Sequence, residues 1–245
     1  SAAGEAALDE IERIEKLLSR FDPASEVSRI NREAAVSPVL LDIEMTGIIA
    51  TCQQAWFDTD GYFDITVGSA GDAGFLNIEF DEEARTIAFR VSNIRLDFGG
   101  FGKGYALDCA AQLLREAGIT GAILHGGTSS VLAIGSDIGE QRWRVDLRSP
   151  WNPGAVLNTV FLQNEALSTS ATGPDIPLSD LAPQSPGPPL PKQATCTVIT
   201  ETAAEAEILS TALLCMGRQK AAIYRANAGA RVFWANEPES KCVLL

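Results

Sequence analysis

The sequence has one histidine, His125, and no C-x-x-C pair among its five cysteines. A single histidine rules out every zinc-hydrolase motif built on paired histidines, and leaves a Ser-His-Asp triad only if His125 serves it. No apolar run approaches the roughly 18 to 20 residues a membrane helix needs. Basic residues are scarce: 19 Lys and Arg stand against 32 Asp and Glu, a formal net charge of -13. That balance repels a phosphate backbone, and without a Lys/Arg cluster no DNA or RNA partner is expected. A phosphorylated small molecule stays compatible with it, provided a divalent cation bridges acidic side chains and ligand phosphates.

The cysteines (Cys52, Cys109, Cys196, Cys215, Cys242) are widely spaced and odd in number, and read as buried small hydrophobes. Cys242-Val-Leu-Leu formally fits a prenylation box, but nothing upstream is polybasic, so it reads as a chance match. The opening Ser1-Ala2-Ala3-Gly4 enters a helical pattern without a basic or apolar leader region, which leaves the compartment unread. What is present is ordinary globular composition. With 245 residues, 46% hydrophobic and 21% charged, the chain can bury a sizeable core, read as a single domain over 1–245.

Apolar residues at three- and four-residue spacing predict helices over 5–21, 42–57, 104–117, 203–216 and 219–227. Runs rich in β-branched and aromatic residues predict strands within 86–98 and at 122–124, 131–134, 143–147, 156–162, 195–200 and 231–234. Seven of the 12 prolines fall between Pro174 and Pro191, which predicts an extended surface loop over 174–191. The order of elements, without an internal repeat, implies an α+β fold with mainly antiparallel strands.

The sharpest local feature is Asp97-Phe98-Gly99-Gly100-Phe101-Gly102-Lys103-Gly104-Tyr105-Ala106-Leu107-Asp108, a glycine-rich turn between a strand and a helix. Glycines let a ligand approach the backbone closely, and the helix start offers free N–H groups to an anion; a tight turn with a solvated lysine is the plainer reading. It is not a P-loop, because Asp97 and Gly104 stand where that motif needs a glycine and a Ser/Thr. The dinucleotide fingerprint fails too, for want of its third spacing and of a βαβ repeat.

Together with four further segments, this turn resembles the ApbE-like FAD:protein FMN transferases, whose hallmark is D-x-G-[GA]-x-[AG]-K-G-Y-A-x-D. The segment from Leu18 to Asn31 is similar to the family's early S-x-h-S-x-h-N stretch, and Phe63-Asp64-Ile65-Thr66-Val67-Gly68 to its F-D-x-T-x-[GP] stretch. Leu124-His125-Gly126-Gly127-Thr128 and Leu167-Ser168-Thr169-Ser170 match its Gly-Gly strand end and its T-S-G segment. Glu205-Ala206-Glu207-Ile208-Leu209-Ser210-Thr211-Ala212-Leu213 is similar to its E-A-D-x-L-[SA]-T-A-L helix.

The resemblance implies a T-fold-like α+β architecture, with packed helices on a mainly antiparallel sheet, and a deep cleft for FAD. It implies Mg²⁺, or the more tolerant Mn²⁺ or Ca²⁺, against the FAD pyrophosphate, and transfer of FMN to a Thr or Ser hydroxyl of a target protein with release of AMP. The target would be a protein such as a membrane redox-complex subunit with the acceptor pattern D-x-x-[ST]-[GA]-T, and the setting periplasmic or membrane-anchored.

Carried over residue by residue, the metal ligands are Glu207, the Thr211 hydroxyl and the Gly102 carbonyl, with Lys103 near phosphate and sharing the catalytic role. Asn31, Asp64, Thr66, Tyr105, His125, Gly126, Gly127, Ser168 and Thr169 line or support the nucleotide cleft. Local sequence equally allows Asn31 and Thr66 as turn or strand residues, Ser168 and Thr169 as a strand end, and Asp108 as a complement to the dipole of its own helix.

The pattern breaks in two places. Glu207 stands where the family has Asp, adding about 1.5 Å of reach that a Mg²⁺ site with bonds of roughly 2.0 to 2.1 Å must absorb. In the stretch that follows the T-S-G segment, the family's histidine is absent over 178–187. Three functions therefore remain in view: the transferase, an FAD-holding relative without transfer, and a metal-dependent FAD pyrophosphatase that uses water as acceptor.

Overall fold

A computed structural model describes residues 2–71, 73–137, 139, 141–152, 154–174, 176, 190–236 and 241–245. The proline-rich loop expected over 174–191 and the stretch 178–187 fall almost wholly outside the described residues.

The chain opens with helix α1 (Ala2–Leu18), which turns Ala7, Ile14 and Leu18 inward. Helix α2 (Glu26–Glu33) is short; Ser25 caps it by accepting the Ser28 N–H at 3.0 Å. Asp42 caps α3 (Ile43–Asp58) in the same way, through the Met45 N–H at 2.7 Å. Strands β1 (Val39–Leu40), β2 (Ile78–Asp81) and β3 (Thr86–Phe89) form a small sheet in the order β1-β3-β2. Only the start of the 86–98 stretch is strand, because from residue 90 onward the chain runs in irregular backbone to the glycine turn.

Helix α4 (Gly102–Glu116) follows the turn, then β4 (Ala122–Gly126), β5 (Ser130–Ile134), β6 (Trp143–Arg148), β7 (Val156–Leu162), β8 (Ala166–Thr172) and β9 (Ala194–Thr200). Helices α5 (Ala203–Met216) and α6 (Arg218–Ala228) precede β10 (Arg231–Ala235) and β11 (Val243–Leu244). The large sheet runs β11-β10-β9-β8-β5-β4, and every strand pair in it is antiparallel, as the sequence predicts.

Helices α4 and α5 pack over one face of this sheet, through Leu107, Ala110, Leu114, Leu132, Ile134 and Ala203, and α1 packs on α4. The β6–β7 ribbon covers the other face, burying Val145, Leu147, Val160 and Leu162 against Val131, Leu167 and Ile199. Each such side chain contributes roughly 1.5–3 kcal/mol by leaving water, so the two layers hold the sheet between them.

The cysteines are free, and all but the half-buried Cys109 are buried. Cys242 packs beside Leu157 and Ala235, and burial pushes its thiol up to about 11. Among the described residues no helix is long and apolar enough to cross a membrane.

Candidate functional site

The glycine turn is held from its first residue. Asp97 accepts the Gly99 N–H at 2.9 Å, donates its own N–H to the Ile65 carbonyl at 2.7 Å and pairs with Arg20 at 2.9 Å. Phe98 and Phe101 anchor it in the core, at 2% and 1% exposure. Asn31 braces the approach: its amide donates to the Leu96 carbonyl at 3.0 Å and accepts the Leu96 N–H at 2.7 Å. Both polar ends of Asn31 are thereby spent on the backbone, so it supports the site from behind and does not line it.

Helix α4 then locks to α5. A Cβ on Gly104 would overlap the backbone carbonyl of Ala203, so only glycine allows this approach. One turn later, Asp108 accepts the N–H groups of Ala203 and Ala204, each at 2.8 Å. Asp108 therefore caps α5, where local sequence suggested a role at its own helix; it satisfies two orphan donors and faces the positive end of the α5 dipole. Burial raises its carboxyl above the usual range, and the two N–H groups pull the other way.

This lock brings together side chains far apart in sequence. Glu207 on α5, 3% exposed, receives hydrogen bonds from Ser130 and from Ser168 at 3.3 Å, both on Oε1. Its Oε2 faces Lys103 Nζ at 3.0 Å, and that lysine also donates to the Gly99 carbonyl at 3.3 Å. Thr211 lies one turn along α5 and shares a hydrogen bond with Ser170 at 3.2 Å. Lys103, Glu207, Thr211, Ser168 and Thr169 line one polar cleft of about 240 Å³ with Gly99 and Gly100.

Two apolar compartments flank that cleft. One, of about 630 Å³, lies between the end of the sheet and the β6–β7 ribbon; it is lined by His125, Gly127, Val131, Val145, Leu147 and Leu167, and shares Ser129, Thr169 and Ala171 with the polar cleft. The other is a groove of about 450 Å³ between α1 and the turn, lined by Ile11, Ile14, Leu18, Phe21 and Phe98, and it shares Gly99 and Lys103. Phe21 stands 80% exposed at its edge, with the Arg20 guanidinium 4.7 Å from its ring centroid.

Several expected residues lie elsewhere. Gly102 lines the apolar groove and not the polar cleft, and a Cβ at its position would meet Leu18. Tyr105 points away from the cleft: it stacks on Phe101 and donates to Glu44 on α3 at 3.1 Å. Thr66 is fully buried and gives its hydroxyl and N–H to Asp64 at 2.6 and 2.7 Å. Asp64, 7% exposed, is raised by burial against that support, and the buried Trp56 indole N–H leans on it without completing a hydrogen bond. It lines a small recess that shares Gly99, Gly100 and Thr211 with the polar cleft, and so adjoins the cleft without lining it. Gly126 packs against Leu107 within β4. Sequence reasoning missed Ser130, Ser170 and Ser210 as site residues, since serines after a Gly-Gly turn, in a Ser/Thr-rich strand or within a helix carry no signal of their own.

The donors fit a hard divalent cation. One carboxylate and a row of hydroxyls offer oxygen alone, and Mg²⁺ characteristically binds through one or two carboxylates with substrate phosphates completing its shell. Among the described residues Glu207 belongs to no group of three or more His, Cys, Asp or Glu side chains close enough to share an ion, so such an ion would depend on its ligand.

The ApbE family profile matches residues 2–75 and 71–234. An FAD:protein FMN transferase of Salmonella typhimurium is 25% identical over 252 residues, covering 89% of this chain and 72% of that protein. In structure the chain is similar to the ApbE protein of Thermotoga maritima, with a TM-score of 0.82 at 24% identity over 99% of this chain and 86% of that one. It is also similar to the apo flavinyl transferase ApbE of Pseudomonas stutzeri, with a TM-score of 0.77 at 23% identity over 98% of this chain and 85% of that one. Likeness at these identities establishes the fold, and the profile, which spans the glycine turn and α5 alike, establishes that this chain belongs to the ApbE family.

Proposed function

We propose that the protein is an FAD:protein FMN transferase that works with a divalent cation, Mg²⁺ by preference. The observation that carries this reading is the polar cleft of Lys103, Glu207 and Thr211 lying between two apolar compartments that both open into it. FAD has the same plan, with two ring systems joined through a pyrophosphate. The pyrophosphate would lie over the cleft, with a ring system in each compartment.

Glu207 and Thr211 would hold the cation, which neutralises charge on the pyrophosphate when bound, and Lys103 would leave Glu207 to meet a phosphate oxygen. The residues then position the reaction more than they take part in it covalently. The target's Thr or Ser oxygen forms a bond to the FMN phosphorus as the bond from that phosphorus to the bridging oxygen breaks. AMP departs with the bridging oxygen, and the hydroxyl proton passes to solvent. A target with the acceptor pattern D-x-x-[ST]-[GA]-T, such as a membrane redox-complex subunit, is the partner on this reading, and the setting is periplasmic or membrane-anchored.

One observation favours a second reading, in which the protein holds FAD without transferring FMN: both oxygens of the Glu207 carboxylate already have partners within the chain, in Ser130, Ser168 and Lys103. Incubation with FAD, Mg²⁺ and an acceptor peptide, followed by denaturation, separates the cases. Covalent flavin on the peptide supports transfer, FMN and AMP alone indicate hydrolysis, and intact FAD indicates holding. Calorimetry in Mg²⁺ should also show FAD binding more tightly than FMN, which lacks the pyrophosphate; equal affinities would remove the whole reading.

A further inference from the structure

Building on the reading of the cleft as a cation and pyrophosphate site, we propose that Ser130 is a positioning residue for Glu207: with Ser168 it clamps one carboxylate oxygen against the sheet and leaves the other to exchange partners. Ser130, on β5, is fully buried, and Ser168 is its direct partner across the β5–β8 register. Both donate to Glu207 Oε1, whereas Oε2 meets Lys103, whose side chain is 48% exposed. The two oxygens are therefore unequal. Buried hydroxyls have no solvent to turn to, but a lysine on its flexible stem can swing out to water or to a phosphate. A cation entering from the cleft would replace Lys103 on Oε2 while Oε1 stays fixed.

Proton counting extends the clamp to Thr211. A hydroxyl has one proton to give. Ser168 gives its proton to Glu207, and Ser210 directs its own at Ser168 at 3.3 Å and at the Glu207 main-chain carbonyl at 3.2 Å. Ser210, its proton thus committed, accepts from Ser170 at 2.9 Å, and Ser170 then accepts from Thr211 at 3.2 Å. Thr211 is thereby fixed as a donor into the network, with its oxygen lone pairs left for the cleft. The longer side chain at 207 gives Ser130 its role, because an aspartate would stop about 1.5 Å short of it. Ser130 and Glu207 work as a matched pair.

The test uses the full chain with FAD held at a saturating concentration and titrates Mn²⁺ into it, with affinity read by calorimetry and folding by thermal melting. Ser130→Ala should weaken Mn²⁺ binding roughly 10- to 100-fold, the range seen when a group that orients a metal ligand is lost. Ser130→Thr should restore most of it. In a Glu207→Asp background, Ser130→Ala should change nothing, a result that a merely structural serine would not give. Ser168→Ala provides an independent arm should Ser130→Ala fail to fold, and it too should weaken binding. Unchanged affinity in the serine variants, equal losses in both backgrounds, or no Mn²⁺ binding by the parent would overturn the clamp. Covalent flavin transfer is scored separately, so a protein that transfers FMN yet ignores Ser130→Ala rejects the clamp and keeps the transferase.

Discussion

Lys103 and Tyr105, two residues apart at the start of α4, lead into two ionic clusters built from similar groups to different ends. On the outer side, Arg13 donates to both oxygens of Glu10 and both of Glu44 at 2.7 to 2.9 Å, and Tyr105 adds a bond to Glu44. Glu10, Glu44 and Cys109 are the one group of three His, Cys, Asp or Glu residues, among those described, whose ligand atoms lie close enough to share a metal ion. Yet a rigid guanidinium fork meets every carboxylate oxygen there. On the inner side a single buried carboxylate faces a mobile ammonium. The number of acidic groups is therefore a poor guide to where a cation enters; what decides is how firmly the chain's own cation is seated.

Removing the inner carboxylate should have the largest effect. Glu207→Ala should lower Mg²⁺-dependent FAD affinity by more than about 100-fold, beyond the range for residues that only orient a ligand, whereas Arg13→Ala should leave it intact. Titration calorimetry on both variants checks the contrast, and equal losses would erase the distinction between the clusters. Gly104→Ala comes next: its methyl meets the Ala203 backbone, and the overpacking should cost about 1–3 kcal/mol, a fall in melting temperature of roughly 2–12 °C at this chain length. A variant melting with the parent would mean that α4 and α5 are not locked there.

Lys103→Ala should weaken FAD binding about tenfold while changing stability by less than about 1 kcal/mol, as befits a half-exposed ion-pair partner. A variant that unfolds easily but binds FAD normally once folded would move Lys103 into the structural class. The smallest effect belongs to the outer cluster. Arg13 holds the Glu44 carboxyl below its ordinary 4.5, so the folded state takes up that proton less readily than the unfolded one. The resulting stability is in place above pH 4.5 and is lost as pH falls through the depressed value. Glu44→Gln should therefore cost at most about 1 kcal/mol at pH 7 and less at about pH 4, with FAD binding untouched. Melting curves at the two pH values decide it.

Much of this was legible in the sequence, because α4, α5 and the longer strands obey simple periodicities and the motifs around Asp97, Lys103, Glu207 and Thr211 occur in family order. Several short elements escaped notice, among them α2, β1 and β2. Helix α2 has eight residues and β1 only two, and β2 has four, too few for a period to emerge. Strand β8 is written in Ser and Thr, whose hydroxyls disguise a buried strand until Glu207 and α5 stand over it. Roles proved harder to read than positions. Asn31, Tyr105 and Thr66 sit in motif segments, but which way each points follows from packing against Leu96, Glu44 and Asp64, contacts set by the fold alone.

The close approach at Gly104, reinforced by Asp108, also sets the mechanics of the cleft. Backbone pressed on backbone has almost no compliance, so α4 and α5 move as one lever, and Lys103 keeps its distance from Glu207 unless its own side chain rotates. The β6–β7 ribbon, which walls the adjoining compartment of about 630 Å³, meets the sheet through side chains, with the Trp143 indole N–H donating to the Ile134 carbonyl at 3.1 Å. Adjustment to differently shaped occupants thus falls to the ribbon, and one stiff jaw keeps its registration while the other conforms.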